Sequence, residues 1–113
     1  MRTADVFVHG KLAGRLSEDE PGDPYTLSYA PEYDGPPVSL TMPVRTEPYS
    51  FKHFPPFFDG LLPEGWQLDA LLKRQKLDRK DFMGQLLAVG EDMVGAVTVA
   101  PESSSPEARE ASP

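Results

Sequence analysis

Alternation of apolar and polar residues predicts four short strands in the first half of the chain. The stretch ADVFVHGKLAGRLSED alternates on both sides of His9-Gly10-Lys11, which predicts two strands joined by a turn, because glycine tolerates a positive φ. The segment YTLSYAPEY alternates again and predicts a third strand. VSLTMP predicts a fourth, with Val38, Leu40 and Met42 pointing inward and Pro43 ending the strand by removing a hydrogen-bond donor. The next residues, VRTEPYSFKHFPP, are interpreted as irregular.

Helical spacing replaces alternation in the second half of the chain. Leu71 and Leu72 lie three and four positions after Leu68, so the three leucines share one side of a helix. Pro63 suits the first turn of this helix, because its missing N–H would have no partner there. The helix is predicted to run to about Gln75.

A second helix and a fifth strand complete the predicted fold. Asp78 is a good N-terminal cap, Asp81 favours the positive end of the helix dipole, and Gly90 is a natural C-terminal stop. The apolar face of this helix is formed by Phe82, Leu86 and Val89. VGAVTVA is apolar enough to be a central strand. The order β-β-β-β-α-α-β predicts an α+β fold, with an antiparallel sheet, open or curled into a small barrel, and a helical pair at one end.

Composition and charge limit the classes of function. A chain of 113 residues predicts one domain, over residues 1–100, and the polar residues 101–113 predict a disordered tail. The net charge of −7 repels phosphates, so we expect a basic protein partner and no direct nucleic-acid binding. The absence of cysteine excludes disulfides and thiolate zinc sites. No apolar run approaches the roughly 20 residues of a membrane span and no signal peptide is recognisable, so we expect a cytoplasmic protein without membrane contact.

Catalytic motifs are missing from the sequence. His9 and His53 have no metal-ligand spacing and are interpreted as a turn residue and a loop residue. The neighbouring carboxylates are better explained by capping and solvation than by acid–base catalysis. Nucleotide-binding loops, kinase motifs and nucleophile elbows are not found. A small hydrolase remains an alternative only if the fold brings Glu64 and Asp92 together in one pocket.

Trp66, the only tryptophan, lies on the unexpected side of its helix. At about 100° per residue it points away from the leucine stripe, beside Asp69, Ala70 and Lys73. The ring either packs under the proline-rich loop before the helix or is exposed as a binding anchor. We favour the anchor, because tryptophan is strongly enriched at interface hot spots. The apolar residues before it are expected to be mostly buried: Phe57, Phe58, Leu61 and Leu62.

Four stretches resemble the N-terminal subdomain of HipA-type serine/threonine kinases, the toxins of a bacterial toxin–antitoxin class. The stretches are VFVHGKLAGRLSED, PVSLTMP, FFDGLLPEGW and GEDMVGAV, in the order of that family and within roughly residues 4 to 100. The most specific signal is FF-x-x-LLPEG, followed about 25 residues later by G-x-D-x-x-GA.

The resemblance implies a function through a protein partner. HipA-type toxins continue into a large kinase core, whereas this chain resembles the small stand-alone antitoxin, HipS, of three-gene systems. There a kinase, HipT, lacks most of this subdomain, and a HipB-like protein binds DNA. The resemblance therefore implies a non-enzymatic antitoxin whose partner supplies metal ions and ATP. The alternative is the N-terminal piece of a one-chain kinase, packed on the kinase core in cis. We favour the stand-alone protein, because the Ser/Pro/Glu-rich ending is typical of a natural tail.

The docking surface implied by the resemblance is the segment from Phe57 to Trp66, with Trp66 inserted into the kinase. We predict no catalytic residue, metal site or cofactor. The predicted partner-binding residues are Phe57, Phe58, Leu61, Leu62, Pro63, Glu64, Gly65 and Trp66.

Overall fold

Five antiparallel strands form one open sheet in the part of the chain that the computed structural model describes, residues 2–20, 23–90 and 96–102. The elements are β1 (Arg2–Val8), β2 (Lys11–Glu20), β3 (Asp23–Tyr29), β4 (Tyr49–Phe51), α1 (Pro56–Asp59), α2 (Gly65–Gln75), α3 (Phe82–Val89) and β5 (Val97–Pro101). The strand order is β4-β3-β2-β1-β5, so the sheet is not closed into a barrel. The predicted α+β class is confirmed, and α1 is a short helix that the pattern did not indicate.

The β1–β2 hairpin has the predicted turn. Val8 pairs with Lys11, which leaves His9 and Gly10 as a two-residue loop. Both have positive φ, 51° and 79°, as the mirror-image hairpin turn requires. The His9 N–H donates to the Ala96 carbonyl at 2.8 Å and so ties the turn to the start of β5. The role of His9 as a turn residue is confirmed.

One face of the sheet carries the core. Alternate strand residues on this face are buried, among them Val6, Leu16, Leu27 and Val99, each 0% exposed. The helices and their flanking loops cover it with Phe58, Met83 and Leu86. α3 packs on β5, so the apolar β5 is covered although it is an edge strand and not the central strand that its composition predicted. The apolar composition of β5 therefore reflects the burial of one of its faces by α3 and not a central position in the sheet.

The predicted fourth strand at VSLTMP is wrong. Ser39 to Met42 forms a tight turn, closed by the Met42 N–H donating to the Ser39 carbonyl at 2.9 Å. Val38 and Met42 are buried as predicted, but Leu40 lies at the tip and is 92% exposed. The flanking prolines cannot donate hydrogen bonds to a neighbouring strand. The alternating apolar residues are therefore found in a turn, with Val38 and Met42 buried on either side of the exposed tip. The fourth strand is instead β4, inside the segment interpreted as irregular.

The start of α2 also differs from its prediction. The helix begins at Gly65, with Glu64 as its N-cap, two residues after the predicted start at Pro63. Glu64 is extended, and Gly65 has a φ of 59°, so the chain changes direction just before the helix. The predicted end at Gln75 is confirmed.

The N-cap of α3 is Asp81 and not Asp78. The Asp81 carboxylate accepts a hydrogen bond from the Gly84 N–H at 3.0 Å. Asp78 lies in the preceding turn, where its carboxylate accepts from the Lys80 N–H at 2.7 Å. Both aspartates satisfy backbone donors, which is the capping role expected of neighbouring carboxylates. The helix ends at Val89 before Gly90, as predicted.

An ion-pair network joins the start of β1 to α3. The Arg2 guanidinium lies 2.7 Å from carboxylate oxygens of both Glu18 and Asp81. Glu18 is 3% exposed and also accepts a hydrogen bond from the Tyr25 hydroxyl at 3.2 Å. Burial, together with the Glu18 carboxylate, raises the pKa of Tyr25 to about 12. The hydrogen bond from Arg2 lowers the pKa of Asp81.

The lowered pKa of Asp81 predicts a loss of stability in acid. The folded state binds the Asp81 proton more weakly than the unfolded state does. The ionised Asp81 carboxylate therefore contributes its full stabilisation above the unfolded pKa of about 4, and this stabilisation is lost as the pH falls through the lower, folded pKa. Asp81→Asn keeps a good cap but loses the charge. We expect it to lower the free energy of unfolding at pH 7 by up to about 1 kcal/mol, since Arg2 is partly exposed. Urea unfolding at pH 7 and pH 3 checks this prediction. The difference in free energy of unfolding between Asp81→Asn and wild type should be smaller at pH 3, and an equal difference at both pH values would contradict it.

Strand pairing extends into the segment predicted as a tail. β5 includes Pro101, and the Glu102 N–H donates to the Thr3 carbonyl at 3.1 Å. Glu102 also lies 3.5 Å from Arg15. The rest of the predicted tail, residues 103–113, lies outside the described residues. Across the described ranges, none of the helices has the length and apolarity to cross a membrane.

Candidate functional site

The FFDGLLPEGW segment begins inside α1, passes through tight turns and ends in the first residues of α2. Pro55 and Pro56 open α1, where a missing N–H leaves no hydrogen bond unmade. The Leu61 N–H donates to the Phe58 carbonyl at 3.0 Å, and the Leu62 N–H donates to the Asp59 carbonyl at 3.2 Å. These bonds fold the segment back on itself before α2 begins.

Buried side chains hold this segment on the core. Phe58 is 0% exposed and Leu62 is 8% exposed, and both belong to the main core cluster. Phe57 and Leu61 are half-buried and pack against that cluster. The Phe57 and Phe58 rings meet edge to face, with centroids 5.2 Å apart. The expectation that these four residues are mostly buried is confirmed.

Trp66 points away from the core, as its helical phase predicts. It is 77% exposed, whereas Leu71, on the opposite side of α2, is 3% exposed. The residues beside it are exposed as well: Asp69, Ala70 and Lys73. The alternative of a ring packed under the proline-rich loop is therefore excluded. A rigid aromatic side chain in solvent on a structured helix is the type of group that a protein partner can bury.

The remaining predicted site residues are at the surface. Glu64 and Gly65 are exposed and Pro63 is half-buried. The predicted site thus divides into an outer group that a partner could touch and two inner residues, Phe58 and Leu62, that can only support it.

The candidate catalytic side chains that the structure describes lie at the surface. His9 and His53 are both exposed. Over residues 2–20, 23–90 and 96–102, no group of three His, Cys, Asp or Glu side chains could hold a metal ion. Glu64 is exposed, and Asp92, the other carboxylate of the hydrolase alternative, lies outside the described residues.

One feature of the surface was missed by sequence reasoning. Leu40 stands at the tip of the Ser39–Met42 turn, beside a groove of about 330 Å³ that Thr41, Met42 and Phe57 help to line. The proline residues on both sides of this turn disfavour a strand, because proline cannot donate a hydrogen bond to a neighbouring strand.

The segment and its surroundings match a known protein family. The family model "HipA N-terminal domain" matches residues 4–100 of this chain. The chain belongs to the HipA N-terminal domain family. A solved structure described as "N-terminal domain of HipA toxin" superimposes with a TM-score of 0.71 and 34% identity, covering 93% of this chain and 96% of that chain.

Two relatives of this HipA N-terminal domain differ in length. A Haemophilus influenzae (strain Rd) protein named "Uncharacterized protein" is 37% identical over 102 residues, covering 90% of this chain and 94% of that protein. A Sinorhizobium fredii (strain NGR234) protein named "Putative kinase Y4mE" is 29% identical over 109 residues, covering 94% of this chain and 26% of that protein. The HipA N-terminal domain is thus matched both in a protein of similar size and in a much longer one.

Proposed function

We propose that this protein is a non-enzymatic antitoxin that binds and inhibits a HipT-like serine/threonine kinase in the cytoplasm. Trp66 and the FFDGLLPEGW segment would dock on the kinase, and a HipB-like DNA-binding protein would join the larger complex. Metal ions and ATP would be bound by the kinase. The family, with its toxin–antitoxin context, supports this proposal.

The observation that carries the proposal is the exposure of Trp66 on a fixed support. A free tryptophan ring on a small domain leaves a large apolar area in water, which burial against a partner would remove. Phe58 and Leu62 would fix the shape of the segment from inside. The outer residues would make the contacts with the kinase: Phe57, Leu61, Pro63, Glu64, Gly65 and Trp66.

Charge would assist the encounter. The net charge of −7 suits a basic kinase surface, and long-range attraction raises the rate of association more than the final affinity. Association would then slow as the salt concentration rises, because the Debye length falls to about 3 Å at 1 M salt.

A second candidate is the N-terminal subdomain of a one-chain HipA-type kinase, with the same surface packed on the kinase core in cis. The match to a quarter of a longer protein named as a kinase favours it. The mass of the endogenous protein in cell extract distinguishes the two. A species of 12.5 kDa supports the antitoxin, and a much larger species carrying these peptides supports the one-chain kinase.

Inhibition of a purified kinase tests the antitoxin directly. Adding the full chain to a HipT-like kinase from the same genome should suppress phosphate transfer from labelled ATP and give a stable complex on size-exclusion chromatography. The chain alone should neither transfer phosphate nor bind ATP·Mg²⁺, since it lacks nucleotide-binding motifs.

Two results would contradict the antitoxin. One is undiminished kinase activity at saturating concentrations of the chain. The other is micromolar affinity of the chain alone for ATP·Mg²⁺ in calorimetry. The His53→Ala protein is a suitable control, because His53 is exposed and lies outside the proposed contact residues.

A further inference from the structure

The six outer residues of the FFDGLLPEGW segment are too few for a stable protein interface. Specific interfaces bury roughly 800 Å² and about 20–30 residues on each partner, and a tryptophan side chain supplies only about 150–250 Å² of this area. More of this surface must therefore be covered in the complex. Among the described residues, the large hydrophobic side chains that are exposed are Leu40, Val44 and Trp66, at 92%, 38% and 77%. Leu40 is the most exposed of the three.

Leu40 is held in a rigid turn. The Met42 N–H closes the turn on the Ser39 carbonyl at 2.9 Å, and the Ser39 hydroxyl accepts from the Thr41 N–H at 3.2 Å. The Tyr29 hydroxyl accepts from the Val38 N–H at 2.9 Å and donates to the Met42 carbonyl, so one buried ring braces both ends of the turn.

Bracing of this kind lowers the cost of binding. Val38 and Met42, two positions before and after Leu40, are 5% and 3% exposed, so the chain is anchored in the core on both sides of the tip. Little backbone entropy remains to be lost when Leu40 is buried by a partner, which is the advantage of a preorganised contact. At 92% exposure the Leu40 side chain buries little surface in the free protein, so we expect it to contribute little to stability.

A groove connects this turn with the Trp66 segment. The groove has a volume of about 330 Å³ and lies between the turn, which supplies Thr41 and Met42, and α1, which supplies Pro56 and Phe57. Aromatic residues of β4 complete its lining. Phe57 is also the first residue of the FFDGLLPEGW segment, so the groove and the segment are parts of one continuous surface.

We propose that the Leu40 turn and the groove beside it form a second contact with the same kinase, in which apolar kinase side chains cover Leu40 and enter the groove. This inference rests on the proposed function and extends its site from the FFDGLLPEGW segment to the Leu40 turn. The kinase would then contact both the Trp66 segment and the Leu40 turn.

Leu40→Ser tests the second contact in the full chain. The melting temperature should stay close to that of wild type, because the side chain is 92% exposed. The dissociation constant of the kinase complex should rise about tenfold or more, since burying a leucine is worth about 1.5–3 kcal/mol and 1.4 kcal/mol is tenfold. Val44→Ser is the matched control: it removes an apolar side chain that does not line this groove and should change affinity little.

The outcomes separate this inference from the proposed function. If Trp66→Ala weakens the complex and Leu40→Ser does not, the second contact is wrong and the antitoxin proposal stands. If wild type forms no complex with the kinase, both are wrong. If the chain self-associates in sedimentation and Leu40→Ser abolishes that association, the turn contacts a second copy, which also overturns the inference. Loss of kinase affinity in Leu40→Ser, with Val44→Ser unchanged, supports it.

Discussion

Replacing Trp66 by alanine should weaken kinase binding at least about 30-fold, because truncating a hot-spot residue costs roughly 2 kcal/mol or more. The stability of the free protein should hardly change. Trp66 is 77% exposed, and substitutions at the surface usually alter the free energy of unfolding by less than about 0.5 kcal/mol. A melting curve and a binding titration on the same variant measure both quantities. Neutralisation of the toxin in cells should weaken in parallel.

Two further variants sharpen this test. Trp66→Phe keeps an aromatic ring and should recover part of the affinity. Lys73→Ala changes an exposed residue on the same side of α2 and should bind like wild type if the ring itself is the anchor. The anchor would be refuted if Trp66→Ala melted far below wild type or inhibited the kinase equally well.

Replacing Phe58 by alanine should have the opposite balance. Phe58 is eight positions before Trp66 but 0% exposed, and removing a core aromatic costs about 3–5 kcal/mol of folding stability. For a domain of this size that lowers the melting temperature by more than about 10 °C. Scanning calorimetry checks this directly. Phe58→Ala and Trp66→Ala together therefore distinguish a residue that stabilises the segment from a residue that contacts the partner.

Phe58→Leu provides the control for Phe58→Ala. Leucine refills much of the volume, so the loss of stability should be clearly smaller than for alanine. A Phe58→Ala protein that melts like wild type would contradict the placement of Phe58 in the core. A folded Phe58→Ala protein that fails to bind at low temperature would indicate that the shape of the segment depends on this ring.

Much of the fold was predictable because local rules agree with the tertiary structure. The His9-Gly10 turn, the first three strands, the end of α2 and the class of the fold follow from alternation and turn chemistry. VSLTMP failed because alternation cannot distinguish a strand from a turn whose ends are both buried. β4 was missed because its three residues, Tyr49–Phe51, are too few to show a pattern.

The candidate site was predictable in orientation but not in extent. Helical phase alone places Trp66 outside the leucine stripe of α2, and its exposure agrees. The division of the segment into inner and outer residues could be stated only as mostly buried, since Phe57-Phe58 and Leu61-Leu62 are adjacent apolar pairs and the pattern does not show which member of each pair is the more buried. The Leu40 turn and Phe57 are far apart in sequence but line or border the same groove. Local sequence patterns cannot predict such a contact between distant residues.

The position of β1 between β2 and β5 constrains the order of folding. Val6 pairs with Gly14 on one side and with Val99 on the other. As the chain leaves the ribosome, β1, β2 and β3 can form their hairpins early, but the free edge of β1 must wait until β5 has been synthesised. Closing so long a loop is slow compared with forming a hairpin. During that interval β1 exposes an unpaired edge, the kind of edge at which strands of other nascent chains can add.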